Sequence, residues 1–177
     1  MQKKSRSDKQ LVKECIFTAL TLLMEKKDFK DITISEIAEK AGVSRMTYYR
    51  TYSSKEDILL QHFEEKFRKM IQILQRHPEI SGYQFGCHFF IFFKEHSSII
   101  KALYKADLLK LMIQKFMEII ESLYSHFLKS PGFDRSIYYQ IALKAGGLFS
   151  MLICWIETGQ KESPEELARM AAPLLEA

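Results

Sequence analysis

The sequence contains few of the residues that break helices or cross-link chains. Its 177 residues include seven glycines, four prolines and three cysteines. This scarcity of breakers, with no sustained alternation of polar and apolar residues, predicts a nearly all-helical chain. The three cysteines are odd in number and widely spaced, which argues against a disulfide framework or a zinc site. We expect Cys15, Cys87 and Cys154 to be reduced residues of a core or pocket.

Long hydrophobic runs are also missing. No apolar run reaches the roughly 18 residues of a membrane-spanning helix, and the longest candidate, residues 148–156, is too short. The N-terminal sequence MQKKSRSDKQ is charged and lacks the apolar centre of a signal peptide. We therefore expect a cytoplasmic protein that does not enter a membrane.

Motifs of the common enzyme classes are absent from the sequence as well. It contains no GxSxG, no Walker phosphate loop, no HExxH and no cysteine pair. Its five histidines are scattered, and His88 and His96 are separated by a spacing that metal sites rarely use. These absences predict that the protein is not an enzyme and has no catalytic residue, cofactor or bound metal.

The most informative stretch is TISEIAEKAGVSRMTYYRTYSSK, residues 33–55. Thr33 and Glu36 have the spacing of a capping box and predict a helix start. Gly42 suits the left-handed position that ends a helix, and Ser44 is a good N-cap for a second helix, about residues 45–51. A further serine–glutamate pair, at 53 and 56, predicts the start of a third helix. Two short helices joined by a glycine turn are typical of a helix-turn-helix, whose second helix enters the DNA major groove.

The predicted second helix carries suitable chemistry for DNA. Arg45 can reach a guanine edge or a phosphate, and Thr47 can reach a thymine methyl group or a phosphate. Tyr48, Tyr49 and Arg50 offer donors to phosphates or bases. Residue 55, a lysine, lies where the free N–H groups of the next helix would also attract phosphate. The alternative is a small helical corner whose polar face is merely solvated.

Part of this stretch resembles the DNA-binding domain of the TetR family of bacterial transcriptional regulators. The residues that carry the resemblance are Ile32-Thr33-Ile34, Ile37-Ala38, Ala41-Gly42-Val43-Ser44, Thr47, Tyr49 and Lys55-Glu56. In that family the positions of Tyr49 and Lys55 usually hold DNA phosphates, and that of Thr33 often does. Met46 and Tyr52 depart from the family pattern, which usually has a small residue and a phenylalanine there. The resulting predicted DNA-binding set is Thr33, Ser44, Arg45, Thr47, Tyr48, Tyr49, Arg50 and Lys55.

Charge and periodicity suggest two domains. Residues 1–55 hold 12 lysines and arginines but only seven aspartates and glutamates, so this part is basic. The remaining residues hold 14 lysines and arginines and 15 aspartates and glutamates, so that part is nearly neutral. We predict a DNA-binding domain at 1–55, with a first helix over about residues 8–26. Lys3, Lys4 and Arg6 would form either a DNA-touching arm or a solvated tail. A long fourth helix of roughly 30 Å would join this domain to a helical regulatory and dimerisation domain at 56–177.

The second predicted domain is rich in aromatic residues, concentrated at 85–93. These rings would either pack as a simple core or surround an apolar cavity for a neutral or weakly polar, hydrophobic effector. The predicted pocket residues are Phe67, His88, Phe89, Phe92, Tyr104, Met112 and Phe116.

The C-terminal third contains the predicted subunit interface. Gly146-Gly147, Trp155, Gly159 and the run SPEEL at 163–167 resemble the end of a group of small TetR-like regulators, in which the last two long helices pair with those of a second subunit. The predicted interface residues are Gly146, Gly147, Phe149, Leu167, Met170 and Leu174. A homodimer would read a palindromic double-stranded operator.

The sequence thus predicts a DNA-binding transcriptional regulator, most often a ligand-released repressor in this family. One alternative is an activator or co-regulator of the same fold, controlled by a protein partner or without a small-molecule ligand. An enzyme and a purely protein-binding helical adaptor are the alternatives from other classes.

Overall fold

Every element in the described part of the computed structural model is helical. The structure describes residues 2–74, 76, 80–128 and 135–176. A 3-10 turn at Phe29–Asp31 lies between the first two helices. The helices are α1 (Gln2–Met24), α2 (Ile34–Lys40), α3 (Arg45–Thr51), α4 (Lys55–Leu74), α5 (Gly82–Glu95), α6 (Ser97–Lys105), α7 (Leu109–Leu128), α8 (Arg135–Glu157) and α9 (Pro164–Glu176). The predicted all-helical fold class is confirmed.

Most helix starts are set by side chains three residues apart. The predicted box between Thr33 and Glu36 is present at the start of α2. At α9 the Ser163 N–H donates to Glu166 (2.7 Å), and the Glu166 N–H donates to the Ser163 hydroxyl (3.2 Å). A third box, of Ser81 with residue 84 at the start of α5, was not predicted. Each box satisfies two backbone donors that a helix start leaves open.

The predicted cap of α4 is wrong by one residue. The Asp57 N–H donates to the Ser54 hydroxyl at 3.1 Å, and the Ser53 N–H donates back to the Asp57 carboxylate at 3.1 Å. The helix therefore begins at Lys55, and aspartate replaces the expected glutamate as the reciprocal partner. Both serines fit a capping pattern, so the sequence alone did not distinguish them.

The ends of other helices also differ from the predictions. The first helix begins at Gln2, so the backbone of Lys3, Lys4 and Arg6 is helical instead of forming a flexible arm. The sequence predicts a helix from Asp107, but α7 begins at Leu109, because Asp107 is left-handed with a φ of 58°. The sequence also predicts a helix stop at Pro131 and Gly132 and a helix cap at Asp134, and these three residues lie outside the described ones.

The chain forms two compact units, and it passes from one to the other within α4, at the start of α6 and within α7. The first comprises Met1–Glu65 and Ser98–Met112, and the second comprises Lys66–Ser97 and Ile113–Ala177. The division into domains at residue 55 stays a prediction. In the first unit, α1 contacts α2 and α2 contacts α3, and the side chains of Ile16, Leu20 and Ile37 are fully buried. His62 stacks on Phe17 with ring centroids 3.7 Å apart and is 6% exposed, so this histidine is a core residue.

The second unit is built around a cluster of phenylalanines. The ring centroids of Phe89 and Phe93 are 4.6 Å apart, and Phe116 lies 4.9 Å from Phe67 and 4.7 Å from Phe149. Most of these pairs are tilted or edge-to-face, which suits the quadrupoles of the rings. The cluster joins α4, α5, α7 and α8 within this unit and forms its core.

Helices α5 and α9 approach closely in the same unit. A Cβ placed on Gly86 would lie 3.1 Å from the Cα atom and 3.2 Å from the Cβ atom of Ala168. Only two small residues allow this separation of the helix backbones. The buried Trp155 closes the α8–α9 connection by donating its Nε1–H to the Glu162 carbonyl at 3.1 Å.

The cysteine prediction is wrong for two of the three residues. Cys15 and Cys154 are exposed, and Cys87 is half-buried. Exposed thiols lie on the outer faces of α1 and α8 because helical position, not residue type, decides which side faces the core.

Candidate nucleic-acid interface and regulatory surfaces

The turn between α2 and α3 has a defined hydrogen-bonded geometry. Gly42 has a φ of 67° and therefore occupies the left-handed region, as the sequence predicted. The Val43 N–H donates to the Ala38 carbonyl at 3.0 Å, and the Gly42 N–H donates to the Glu39 carbonyl at 3.0 Å. This pair of bonds is the Schellman arrangement that ends a helix. It holds the start of α3 at a fixed angle to α2.

Helix α3 is capped by the residue that the sequence predicted. The Ser44 side chain accepts the Thr47 N–H at 3.0 Å, and the two hydroxyl oxygens lie 3.0 Å apart. The hydroxyl groups of Ser44 and Thr47 are therefore already paired with each other. Their predicted DNA contacts remain predictions, and their structural role in the free protein is to cap α3.

One face of α3 is exposed, and we name it the α3 outer face: Arg45, Met46, Tyr49 and Arg50. Arg45 and Arg50 are exposed, and the exposed fractions of Tyr49 and Met46 are 53% and 72%. Arginine can bind guanine or phosphate with paired donors, and a phenol can donate to a phosphate. An exposed thioether adds an apolar contact for a thymine methyl group. This face therefore presents donor groups of the kinds that contact DNA bases and phosphates.

Tyr48 does not belong to this face, so its prediction as a DNA-contacting residue is wrong. Its side chain is completely buried, and its ring lies 6.2 Å from that of Tyr52, which is also buried. Among the described residues, its hydroxyl has no hydrogen-bond partner. Burial, reinforced by the nearby Glu56 carboxylate, raises the pKa of Tyr48 to about 12. The phenol is therefore neutral and anchors α3 to the core.

Thr33 is exposed, but it already has a partner. Its hydroxyl donates to the Glu36 carboxylate at 2.7 Å, while Lys27 donates to the same carboxylate group at 2.6 Å. The hydrogen bond from Lys27, followed by those from Thr33, lowers the pKa of Glu36 to about 2. This network links the residues after α1 to the start of α2. The predicted phosphate contact of Thr33 stays a prediction.

Lys55 is engaged with the protein backbone. Its ammonium group donates to the carbonyl oxygens of Phe29 (2.7 Å), Lys30 (2.9 Å) and Ile32 (3.0 Å). Sequence reasoning predicted a phosphate contact and missed these carbonyls, which lie more than 20 residues earlier in the chain.

A basic groove beside α3 was also missed. A half-open groove of about 630 Å³ is lined by residues of α1 and α3: Asp8, Lys9, Val12, Lys13, Thr47, Arg50 and Thr51. Lys9 is exposed, whereas Lys13 donates to the Gln61 side chain at 3.1 Å. The i, i+4 spacing of the two lysines was visible in the sequence and places both on one helix face. The groove extends the positive charge of Arg50 toward α1.

The predicted effector pocket is not assembled as expected. Phe67, Phe89, Phe92 and Phe116 are buried and pack against neighbouring rings, which supports the simple-core alternative. His88 is exposed, so it cannot orient a ligand inside this cluster. Two other members, Tyr104 and Met112, belong to the first compact unit, and Tyr104 is 42% exposed.

A different apolar groove occurs in the second unit. It has a volume of about 270 Å³ and is half-open. Of the predicted pocket residues, only Phe116 lines it. Lys144 borders it and donates to the Leu175 carbonyl at 3.1 Å. The complete lining is Ile80, Ser81, Gly82, Phe85, Phe116, Ile141, Lys144, Ala145, Leu148 and Leu175.

Of the six predicted interface residues, four pack within the chain and two are exposed to solvent. Phe149 and Leu167 are buried in the second unit, so assigning them to a subunit interface is wrong. A Cβ on Gly147 would collide with Leu174 of the same chain, so this glycine serves contact between α8 and α9. Gly146 faces open space, and Met170 is 63% exposed. These two residues remain available to a second copy.

Helix α8 has a long exposed apolar stripe. Tyr139 and Leu143 are 65% and 66% exposed, and Gly146, Ser150 and Cys154 continue the same side at helical spacing. Within Tyr138–Glu157 the mean hydropathy reaches 1.4, and 28% of that window is buried. By length and composition alone this segment could span a membrane, contrary to the expectation from the sequence that no helix is long and apolar enough. A face that pairs with another subunit has the same composition.

The fold and the α3 outer face define a helix-turn-helix DNA-binding protein. The family description "Bacterial regulatory proteins, tetR family" matches residues 16–61, and "Transcriptional regulator C-terminal region" of the same family matches residues 83–177. The chain belongs to the TetR family of bacterial transcriptional regulators. This confirms both the resemblance found in the sequence and the predicted regulatory function.

Similar proteins support the same fold. The chain is 33% identical over 76 residues to the uncharacterized HTH-type transcriptional regulator YxbF of Bacillus subtilis; the match covers 41% of this chain and 20% of YxbF. The fatty acid degradation regulator FadR of Bacillus halodurans has a similar structure (TM-score 0.57, 18% identity, covering 94% of this chain and 95% of that one). FadR of Bacillus subtilis, solved in complex with stearoyl-CoA, is also similar (TM-score 0.54, 19% identity, covering 93% and 97%).

Replacing Tyr48 by phenylalanine should stabilise the protein and leave its DNA affinity unchanged. An unpaired buried polar group costs about 1–3 kcal/mol, and the substitution removes only the hydroxyl. Urea denaturation should therefore show a free energy of unfolding raised by about 1 kcal/mol or more. The matched control is Tyr49→Phe, which should leave stability unchanged but weaken DNA binding. Loss of DNA affinity in a fully folded Tyr48→Phe protein would show that the buried assignment does not describe the bound state.

Proposed function

We propose that this regulator is a cytoplasmic homodimer that binds a palindromic operator and represses transcription until a hydrophobic small molecule releases it. The observation that carries the DNA-binding part is the rigidly capped helix-turn-helix with its exposed α3 outer face. Two guanidinium groups, a phenol and a thioether converge there on a surface two helical turns long. Arg45 and Arg50 supply base or phosphate contacts, and Tyr49 supplies a phosphate contact.

The DNA assignment is tested by measuring binding to the segments that flank the gene, as a function of salt. Arg45→Ala should change the preference at one base pair by roughly 1–3 kcal/mol if Arg45 contacts a base. Arg50→Ala, if Arg50 contacts a phosphate, should instead weaken binding to all sequences. It should also reduce the slope of log affinity against log salt concentration, the salt slope, by about 0.9. Fluorescence anisotropy with labelled duplexes provides both quantities.

The control for these variants is Arg169→Ala, which removes an equal charge from an exposed position on α9. Its affinity and salt slope should match those of the wild type. If the α3 variants bind as tightly as this control, the α3 outer face is not the DNA interface.

Dimerisation is proposed to use the α8 stripe together with Met170 of α9. A single α3 reads only a few base pairs, whereas two copies on a two-fold axis read half-sites about 34–36 Å apart or a multiple of that distance. Tyr139 and Leu143 supply large apolar contacts, and Gly146 lets a second helix approach. The mostly exposed apolar character of α8 supports this proposal because isolated soluble chains rarely leave such a surface open.

Leu143→Arg should convert the dimer into a monomer that binds the operator weakly. A buried guanidinium without a partner destabilises an interface by several kcal/mol, whereas an exposed one on a free helix does not affect the fold. Sedimentation at micromolar concentration should show a halved mass with an unchanged circular dichroism spectrum. Lys101→Glu, an exposed change on α6, is the control. A wild-type chain that sediments only as a monomer contradicts the model.

The proposed effector site is the groove between the start of α5, α7, α8 and the last turn of α9. Its lining is mostly apolar, and its volume of about 270 Å³ lies just below the roughly 300–1,000 Å³ of ligand pockets. It therefore suits a short aliphatic chain or part of a longer one. Binding of stearoyl-CoA by the similar FadR protein supports acyl compounds as the first class to test. The Lys144 ammonium at the border offers a contact for an anionic or carbonyl group.

Filling this groove with Ala145→Leu should prevent release of the operator by an acyl-CoA without changing operator affinity. Ala145 is buried and lines the groove, whereas Ala142, three residues earlier, does not. Ala142→Leu is therefore the matched control and should respond like the wild type. Short- and long-chain saturated acyl-CoA molecules, stearoyl-CoA among them, are titrated into the labelled complex. A coupling of about 1–3 kcal/mol would weaken binding about 5- to 150-fold.

A second candidate is a regulator of the same fold without a small-molecule effector, controlled by a protein partner or acting as an activator. The packed phenylalanine cluster favours this alternative. Its rings contact one another in the core and therefore do not line a large internal cavity. If no acyl-CoA or free fatty acid changes operator binding, this second function is preferred.

A further inference from the structure

Met46 has the largest exposed fraction, 72%, of the large apolar side chains in the described part of the chain. It is the second residue of α3 and belongs to the α3 outer face. Its neighbours on that face, Arg45, Tyr49 and Arg50, all carry hydrogen-bond donors and are exposed as well. An apolar side chain among them adds to binding only where the partner offers an apolar group of its own.

The direction of Met46 follows from the buried ring beneath α3. Tyr48 is completely buried and marks the side of α3 that faces the core. At about 3.6 residues per turn, Met46 lies about 160° around the helix from Tyr48, and Arg50 lies about the same angle away in the opposite sense. Met46 and Arg50 are therefore the residues of α3 that point most directly away from the protein.

Met46 also lies in the first turn of α3, whose backbone is held by the cap. The Ser44 side chain accepts the Thr47 N–H at 3.0 Å, so Met46 lies between the two residues that this hydrogen bond joins. In helix-turn-helix proteins the first residues of the second helix contact base edges in the major groove. With α3 in the groove, as the proposed DNA interface requires, the Met46 side chain therefore meets base edges.

The chemistry of a thioether restricts which base edge it can recognise. It has no hydrogen-bond donor and is only a weak acceptor, so it cannot distinguish bases by their hydrogen-bonding patterns. Of the four DNA bases, thymine alone presents a methyl group in the major groove. The unbranched and flexible methionine side chain can adapt its shape to such a group.

We propose that Met46 is a specificity-determining residue, which selects thymine at one base pair of each operator half-site by contact with the C5-methyl group. This inference rests on the proposed DNA interface and goes beyond it by naming the base and the chemical group that are recognised. The donors of Arg45, Tyr49 and Arg50 are left for the other contacts, to bases and phosphates.

The test removes the methyl group from the DNA and the thioether from the protein separately. Each thymine of the operator found in the flanking DNA is replaced in turn by deoxyuridine, which lacks only the C5-methyl group. For the wild type, one replacement in each half-site should weaken binding about three- to fivefold, the factor that corresponds to burial of one methyl-sized group. Met46→Ala should bind the thymine operator more weakly by at least that factor. It should bind the thymine and uracil duplexes equally well at this position.

Two further substitutions separate apolar contact from other roles of the position. Met46→Leu keeps an apolar side chain of similar volume and should stay sensitive to uracil, whereas Met46→Gln has a polar end and should lose this sensitivity. A cytosine at the sensitive position should bind the wild type about three- to fivefold more tightly when it is methylated at C5. This methylation restores the methyl group without changing the donors and acceptors of cytosine. Leu22→Ala shortens another exposed apolar side chain, on α1, and should match the wild type on every duplex.

The outcomes distinguish the role of Met46 from that of the whole interface. If Met46→Ala weakens the thymine and uracil duplexes by the same factor at every position, Met46 does not recognise the methyl group and the proposal is wrong. A lower thermal midpoint with an equal loss on all DNA, unrelated duplexes included, also overturns it, because Met46 would then support only the fold. Unchanged binding by the Arg45 and Arg50 variants contradicts the proposed DNA interface itself. A wild type that binds through these arginines but tolerates uracil everywhere contradicts only the selection of thymine by Met46.

Discussion

Helix α3 is seven residues long, and this shortness is the constraint on which the DNA-binding unit depends. Isolated helices shorter than about 12–15 residues are marginal in water, so α3 cannot hold its shape by backbone bonds alone. Its conformation relies on three separate supports: the Ser44 cap at one end, the hydrogen-bonded turn at Gly42, and the buried ring of Tyr48 beneath it. With these supports on its buried side, α3 keeps its helical shape while the α3 outer face stays exposed.

Because α3 is supported from one side only, two adjacent tyrosines have different roles. Tyr48 and Tyr49 are neighbours of the same type, but one is completely buried and the other is 53% exposed. Their rings meet edge-to-face at 5.4 Å, so the buried ring also orients the exposed one. The buried hydroxyl is a cost of using tyrosine at a position where an apolar ring would suffice.

In the second unit, aromatic side chains that could have lined a ligand cavity pack against one another and form the core. The rings of Phe67, Phe89, Phe93, Phe116 and Phe149 fill the space among four helices, in tilted and edge-to-face pairs. The proposed effector groove lies beside this cluster, where Phe116 contributes to both. The exposed stripe of α8 turns in a different direction from its buried residues, such as Leu148 and Leu152. Helix α8 thus presents its core and groove residues on one side, where Leu148 belongs to both, and an exposed apolar stripe on another.

Features set by residues a few positions apart could be predicted from the sequence. The capping box at Thr33, the left-handed Gly42 and the extent of α3 depend on local backbone geometry, and each was predicted correctly. The all-helical class followed from the same local patterns. What only the tertiary structure decided are the contacts between distant residues and the direction that each helix face takes. Lys55 binds carbonyls more than 20 positions earlier, Tyr48 points inward, and Phe149 enters the core, because the packing of whole helices selects the partner of each side chain and local pattern does not.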